Sequence, residues 1–416
     1  MNSGCKLTAL DLFCGAGGLS FGLEQAGIEV VAGVDADHHS ISTYSYNHDG
    51  RGVCLDLTSS NIHEKISEEI RGNGFDPEDI DIVAGGPPCK GFSKANSITQ
   101  NRDNPLNVLP ELFLEIAEEF SPRGIILENV PPLLTMEEGQ YKDSILDTLQ
   151  DWGFHHRFGV LHADEYGVPQ LRRRVFFIAS SEGRPNFPQT THNPGAREYE
   201  EFEHDPHLDD PVTVRDAIYD LPRLPKGGGG SEVMEYDPPV EYLTEYVRSM
   251  RSQIEDSVVY NHRTTVNRES TYRRFKYISQ GGNWEDIPAE LMSNYKNRSQ
   301  THDHIYRRLK PDMPAYTVAN FRKQMMVHPL KESPGEENTG DQDRLLSVRE
   351  AARLQSFPDH YRFVGESFNA RQQMVGNAVP VRLAKAVGGA MVDVLNDSSS
   401  SSPISSGAMS GEAQDD

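Results

Sequence analysis

"LTALDLFCGAGGLSFGLEQAGIEVVAGVD", residues Leu7 to Asp35, decides how the rest of the chain is read. An apolar run ends in a cluster of glycines, an amphipathic stretch follows, Gly27 stops it, and a second apolar run ends on an acid. That is the pattern of strand, loop, helix and strand. Glycines at a strand-to-helix turn let backbone approach a ligand closely and turn helix N–H groups toward it. The dinucleotide pattern GxGxxG fails because its last position is Ser20, which argues against a nicotinamide oxidoreductase. Asp35, 17 residues after Gly18, is placed to accept hydrogen bonds from a ribose diol, and Asp56 in "CLDLT" ends a third strand near an adenine amine. A nucleoside-bearing cofactor is expected.

The same rhythm continues outward. "DIVAGG" (81–86), "GIILENV" (124–130), "RFGVLHA" (157–163) and "RVFFIAS" (174–180) read as further strands, with helix-like spacing between them. The expected fold class is α/β: a mostly parallel sheet with helices on both faces. Residues 181 to about 260 break the rhythm with scattered Pro, acidic clusters and the flexible "KGGGGSE" (226–232). "VREAARLQSF" (348–357) and "PVRLAKAVGGAMVDVL" (380–395) read as helices, the second able to rejoin the first unit. The serine-rich residues 396–416 are expected to be disordered.

Composition narrows the function classes. No apolar run approaches the roughly 20 residues that span a bilayer, and the N-terminus shows no secretory leader pattern, so a soluble intracellular protein with no membrane partner is expected. Four cysteines form no CxxC pair and lie near no His cluster with zinc spacing, so no metal is expected. Cys5, Cys14 and Cys54 read as small apolar fillers. Asp+Glu number 63 against 40 Lys+Arg, of which 28 are Arg. Such an acidic, lysine-poor surface suits concentrated salt, where the Debye length falls to about 3 Å. Our hypothesis is a halophilic source, and equal thermal stability in low and multimolar potassium chloride would count against it. Between Asn261 and Lys323 the sign flips, with 12 Arg/Lys against 6 Asp/Glu.

The other informative stretch is "GGPPCKGFS" (85–93), after the strand ending at Ala84. Pro87 and Pro88 stiffen the approach while glycines on either side allow turns, so Cys89 reads as a presented thiol at the ligand-binding edge of the sheet. A nucleophilic thiol needs a lowered pKa or a nearby proton acceptor. "ILENV" delivers Glu128 to the same edge, and "GVPQLRRRVFFIA" delivers Gln170, Arg172 and Arg174. Cys, Glu and Arg beside a cofactor loop suggest nucleophilic attack on an electron-poor ring, assisted by proton donation.

These motifs, in order "DLFCGAGGLS", "GPPCKGFS", "ENV", "QLRRR", "VREAARLQSFP" and "GNAVP" (376–380), resemble those of the DNA cytosine-5 methyltransferases over residues 7 to 395. The resemblance implies a Rossmann-like S-adenosylmethionine-dependent catalytic unit (1–180, completed by 346–395) and an irregular target recognition domain (181–345). It implies S-adenosylmethionine held by Phe13, Gly15, Gly18, Asp35, Ala36, Asp56, Leu57, Pro88, Asn377 and Ala378. Cys89 would add to carbon 6 of a cytosine flipped out of double-stranded DNA, Glu128 would hydrogen-bond ring nitrogen 3 and the exocyclic amine, and Arg172 and Arg174 would hold the base and its surroundings. DNA contacts are expected from Ser93, Gln170, Arg263, Arg273, Arg274, Arg307, Arg308 and Arg322, since Arg among aromatic residues suits phosphate and guanine recognition. The resemblance also implies a cytoplasmic, nucleoid-associated monomer of the modification type, either with a restriction endonuclease of the same specificity as a candidate companion in a restriction-modification system or acting alone in the genome. A tRNA-directed member of the family and a catalytically silent DNA-binding regulator share the motifs; the long recognition region favours DNA, and the intact Cys89 and Glu128 favour catalysis.

Overall fold

The computed structural model describes residues 6–88, 109–196, 202–225, 228–293, 305–321, 323–330, 342–365 and 367–400. Among these, β1 (Thr8–Leu12), β2 (Glu29–Asp35), β3 (Gly52–Cys54), β4 (Ile82–Gly85), β5 (Gly124–Asn129), β6 (His155–His162) and β8 (Arg173–Ser180) make one sheet. Its strand order is β3-β2-β1-β4-β5-β8-β6. The two-residue β7 (Gln170–Leu171) stands apart, paired with Ala315–Tyr316.

Period-two patterning sorts the strand residues onto two faces. Leu10, Leu12, Val31, Val83, Ile125, Leu127, Val175 and Phe177 enter one core, beneath α3 (Ile62–Gly72), α4 (Leu109–Glu118) and α5 (Gln140–Asp151). Their neighbours Ala9, Val30, Ile82, Ala84, Ile126, Phe176 and Ile178 enter the other, beneath α1 (Gly18–Gln25) and α11 (Val381–Ser400). Burial on both faces is what parallel strands require, and each fully buried Ile, Leu or Phe adds about 1.5–3 kcal/mol. The final helix thus completes the unit that the first helix begins. A Cβ on Gly22 would lie 2.3 Å from Ala384 Cβ, so glycine is what lets α1 and α11 meet.

β1 to β5 run parallel, whereas β8 is antiparallel to both β5 and β6. The start of β8 therefore reaches the same edge as the ends of β1, β4 and β5. The order reverses between β1 and β4, and such a switch point is where open α/β sheets form a crevice for ligands.

The second region holds α6 (Val214–Ile218), α7 (Glu245–Arg251), α8 (Glu269–Phe275) and short two- and three-residue strand pairings. Its core does not break at the boundary expected near 345. Val214, Met250 and Phe321 share one apolar cluster with Leu346, Ala351, Phe357 and Val375, residues in or beside α9 (Val348–Leu354) and α10 (Phe368–Asn377), and with Ala16 of the glycine loop. The tail expectation also needs correction: α11 continues to Ser400, and 401–416 lie outside the described residues. None of the described helices is long and apolar enough to cross a membrane.

One buried carboxyl sets a pH dependence. Asp11 in β1 is fully buried, accepts a hydrogen bond from Ser20 Oγ (2.5 Å) through Oδ2, and has no partner for Oδ1 among the described residues. Burial pushes its pKa from 3.8 up to about 7. The folded chain then holds a proton that the unfolded chain releases above about pH 4, so native stability falls as pH rises from about 4 to 7 and levels off beyond. Asp11→Asn keeps an acceptor for Ser20 and removes this titration. Its stability relative to native should therefore rise by up to about 4 kcal/mol between pH 4 and 8, read from urea midpoints. A difference independent of pH would contradict the assignment.

Candidate active site

Three strand ends and one strand start converge at the switch point. The loop after β1 turns through left-handed backbone at Phe13 (φ 58), Gly15 (φ 54) and Gly17 (φ 88). For a residue as bulky as Phe13 that conformation is strained, a feature that clusters at ligand sites. Gly15 N–H donates to Asp35 Oδ2 (3.0 Å) and Asp37 N–H to Asp35 Oδ1 (2.8 Å), so the acid at the end of β2 also fixes the loop. A Cβ on Gly15 would meet nothing within 4 Å, whereas one on Gly18 would lie 2.4 Å from the Val379 carbonyl oxygen and 3.2 Å from Ala378 Cβ. The loop is open in front and packed behind against the "GNAVP" segment. Asp56 is exposed and accepts from Thr58 N–H and Oγ, which lowers its pKa. Leu57 is buried beside it. Phe13 is half-buried, Ala36 and Asn377 are exposed, and Pro88 is half-buried. Open space before the loop, with two carboxylates at adjoining strand ends, fits a nucleoside-bearing group.

Cys89, Ser93 and Arg322 lie outside the described residues. The root of the cysteine loop does not. Asn129 Nδ2 donates to the Pro87 carbonyl (2.9 Å), tying the end of β5 to a point two residues before Cys89. A Cβ on Gly86 would lie 2.9 Å from Glu128 Oε2, so the glycine leaves room for the carboxyl group. Glu128 is buried, and Arg174 Nε reaches its Oε1 at 2.5 Å. Burial pushes the Glu128 pKa up while Arg174 and then Arg172 pull it back. The pairing follows from the antiparallel register, in which Glu128 stands opposite Phe176 and Asn129 opposite Val175, with Arg174 at the next position.

Arg172 is placed differently. It is fully buried and donates to the carbonyls of Val318 (2.8 Å) and Gly376 (3.1 Å), joining the second region to the "GNAVP" segment. Its described hydrogen bonds thus go to backbone carbonyls of two segments that flank the site.

Several expected DNA contacts face inward. Gln170 is fully buried; its amide donates to Leu354 O (2.8 Å) and its carbonyl accepts from Val318 N–H (2.8 Å). Arg274 donates to Leu291 O and Tyr306 Oη. Arg308 is fully buried, donates to Phe275, Ile278, His328 and Leu330 carbonyls, and pairs with Asp343. These three residues hold the fold of the region, which corrects their expected place at a DNA surface. Arg263 and Arg273 are exposed, near Glu232 (3.6 Å) and Glu269 (3.3 Å) respectively. The half-buried Arg307 covers the ring of Tyr316 at 3.1 Å. Cys54, expected as a filler, is exposed, while Cys14 is buried.

Sequence reasoning also missed the ties that assemble the site. Asn129 was legible only as part of "ENV". In "VREAARLQSFP", Arg349 donates to the carbonyls of Tyr260, Pro358 and Tyr361, and Arg353 binds both Asp220 and Asp359. The alternation of charge with Ala and Leu in that helix was the available signal.

A family model for C-5 cytosine-specific DNA methylases matches residues 7–393. Type II methyltransferase M1.HphI of Haemophilus parahaemolyticus is 31% identical over 390 residues, spanning 93% of this chain and 87% of the relative. Type II methyltransferase M.AgeI of Thalassovita gelatinovora is 32% identical over 445 residues, spanning 92% and 98%. A prophage-encoded E. coli protein named as a DNA modification methyltransferase superposes with a TM-score of 0.67 at 24% identity, over 94% of this chain and 99% of that one. At that identity the likeness bears on the fold alone.

Proposed function

Since the chain belongs to the C-5 cytosine-specific DNA methylases, we propose that it moves a methyl group from S-adenosylmethionine to carbon 5 of a cytosine in double-stranded DNA, through a covalent bond between Cys89 and a flipped base. The observation that carries this reading is the Glu128–Arg174 pair lodged against Gly86 while Asn129 holds the Pro87 carbonyl. It puts a carboxyl group and a guanidinium at the root of the loop that bears the thiol.

S-adenosylmethionine, when bound, supplies an electrophilic methyl group. Phe13, Gly15, Gly18, Asp35, Ala36, Asp56, Leu57, Pro88, Asn377 and Ala378 are the residues we assign to holding it. Cys89 adds as thiolate to carbon 6 of cytosine, and the electron pair displaced from the 5,6 double bond is delocalised toward ring nitrogen 3. Burial raises the Glu128 pKa, which favours a proton on its carboxyl for donation to nitrogen 3. Arg174 opposes that shift and holds the carboxyl in place. Attack of carbon 5 on the methyl group would release S-adenosylhomocysteine and let the nitrogen 3 proton return to Glu128; passage of the carbon 5 proton to solvent water with departure of the thiolate then restores the aromatic ring. Flipping costs a few kcal/mol, offset by contacts in the pocket. Residues 181–345 are assigned to target recognition; of the arginines expected at DNA, Arg263 and Arg273 are exposed and Arg307 is half-buried, and Ser93 and Arg322 are assigned from sequence.

The type II names of these relatives favour a modification enzyme, and our proposal extends to a monomer in the cytoplasm with a restriction endonuclease of the same specificity as its companion. The test is bisulfite sequencing of DNA from cells that express the chain: 5-methylcytosine confined to one short sequence context is expected, and unmodified DNA would overturn the reading.

A further inference from the structure

The glycine loop is pinned from behind by a side-chain chain that none of the sequence motifs contains. Tyr361, fully buried and following "LQSFP", donates its hydroxyl proton to the Ala16 carbonyl. With that proton spent, the hydroxyl oxygen accepts from Nε2 of His48, 3.0 Å away. Nδ1 of His48 lies 2.9 Å from Glu24 Oε1 in α1, which fixes the ring's orientation. The imidazole is sandwiched further, stacked on Tyr44 with centroids 4.2 Å apart and met edge-on by Phe21 at 6.1 Å. The loop touches this assembly directly: a Cβ on Gly17 would lie 2.5 Å from His48 Nε2 and 2.6 Å from Tyr361 Oη.

The arrangement has a direction. The front of the loop is open at Gly15, while the Ala16 carbonyl on the next residue is held by Tyr361. Ala16 joins the apolar cluster that contains Tyr361, Phe357 and Val375, so the same residue is gripped by packing and by a hydrogen bond. The grip comes from a segment 345 residues away in the chain. A loop whose backbone must meet a ligand gains affinity when its bound conformation is fixed beforehand.

We propose that Tyr361, oriented by His48 and Glu24, is a positioning residue that holds the glycine loop in its cofactor-binding form and so sets affinity for S-adenosylmethionine. The inference rests on the cofactor assignment above. The Tyr361 hydroxyl bonds the Ala16 carbonyl and His48 behind the loop, so its loss should weaken cofactor binding and leave the chemical step intact.

The test is titration calorimetry of the full-length protein with S-adenosylmethionine, paired with steady-state methylation of plasmid DNA. Tyr361→Phe keeps the ring and removes the hydrogen bond. The dissociation constant and the KM for S-adenosylmethionine should rise about tenfold, in line with one lost hydrogen bond, with kcat at saturating cofactor within twofold of native. Glu24→Gln, at a partly exposed position, should move both constants the same way by a smaller factor. If Tyr361→Phe is folded by circular dichroism and binds the cofactor as native does, the proposal fails. It fails equally if kcat drops while KM is unchanged. Should Tyr361→Phe not fold, Glu24→Gln decides alone, and an unchanged dissociation constant refutes the idea. A native protein that binds no S-adenosylmethionine would instead sink the cofactor assignment, and the positioning role with it.

Discussion

Cys89→Ser should abolish methyl transfer while leaving DNA binding within about threefold of native. A serine hydroxyl ionises far less readily than a thiol, so the attacking anion is all but absent near neutral pH. The expected fall in kcat is about a thousandfold or more, on the order of 4 kcal/mol in barrier. Nothing in the scaffold should change with it. Asn129 still holds the Pro87 carbonyl, and Glu128 still pairs with Arg174. The measurement is labelled methyl incorporation beside an electrophoretic binding assay with the same duplex. Loss of both together would mean that Cys89 supports the loop, and retained transfer would remove the thiol from the chemistry.

Arg353→Met should be strongly destabilising. The Arg353 guanidinium is fully buried and spends its donors on Asp359 (2.7 Å, twice), Asp220 (2.9 and 3.0 Å) and the Ala217 carbonyl (2.9 Å). It stitches α9 to the second region and to the turn after α9. Methionine fills much of the volume but leaves two buried carboxylates short of their main cation. Asp220 would keep Tyr236 Oη at 2.6 Å, and Asp359 would keep Arg251 at 2.9 Å. Breaking such a buried pair costs about 3–5 kcal/mol. The Arg353 guanidinium beside Asp359 holds that carboxyl down at about 2, so its contribution is present above pH 4 and is lost only as pH falls through about 2. Urea denaturation at pH 7 reads the loss directly. Because the cluster is buried, the same loss is expected in dilute and in concentrated salt. A cost under about 1 kcal/mol, or one erased by salt, would show that the cluster matters less than its burial implies.

How much of this was written in the sequence depends on how local each feature is. The apolar runs gave the strands because alternation reports burial on two faces, and Ile125, Ile126 and Leu127 separate onto the two cores accordingly. The glycine loop and the convergence of Glu128 with Arg174 were equally legible, because residues at strand ends share one edge. That Arg174 lies near the start of an antiparallel strand needed the structure, since direction leaves no mark in periodicity. The arginines divided the readings most sharply. Sequence placed Arg274 and Arg308 in a basic island and gave them to DNA, yet their partners include carbonyls 17 and 33 residues away, which charge counting cannot see. Arg273, beside Arg274 on the same helix, points outward. Tyr361 and His48 were silent for the same reason: each is ordinary in its own segment, and the pair acquires meaning only where the C-terminal segment meets the first loop.

The most direct test of covalent catalysis uses randomised duplexes in which 5-fluorocytosine replaces cytosine, incubated with S-adenosylmethionine and heated in detergent. Fluorine cannot leave carbon 5 as a proton does, so the thiol cannot depart once the methyl group has been transferred. A heat-stable protein–DNA adduct should form with the native chain, require S-adenosylmethionine, and be missing with Cys89→Ser. Absence of the adduct from native protein that methylates ordinary duplexes under the same conditions would contradict covalent attack by Cys89.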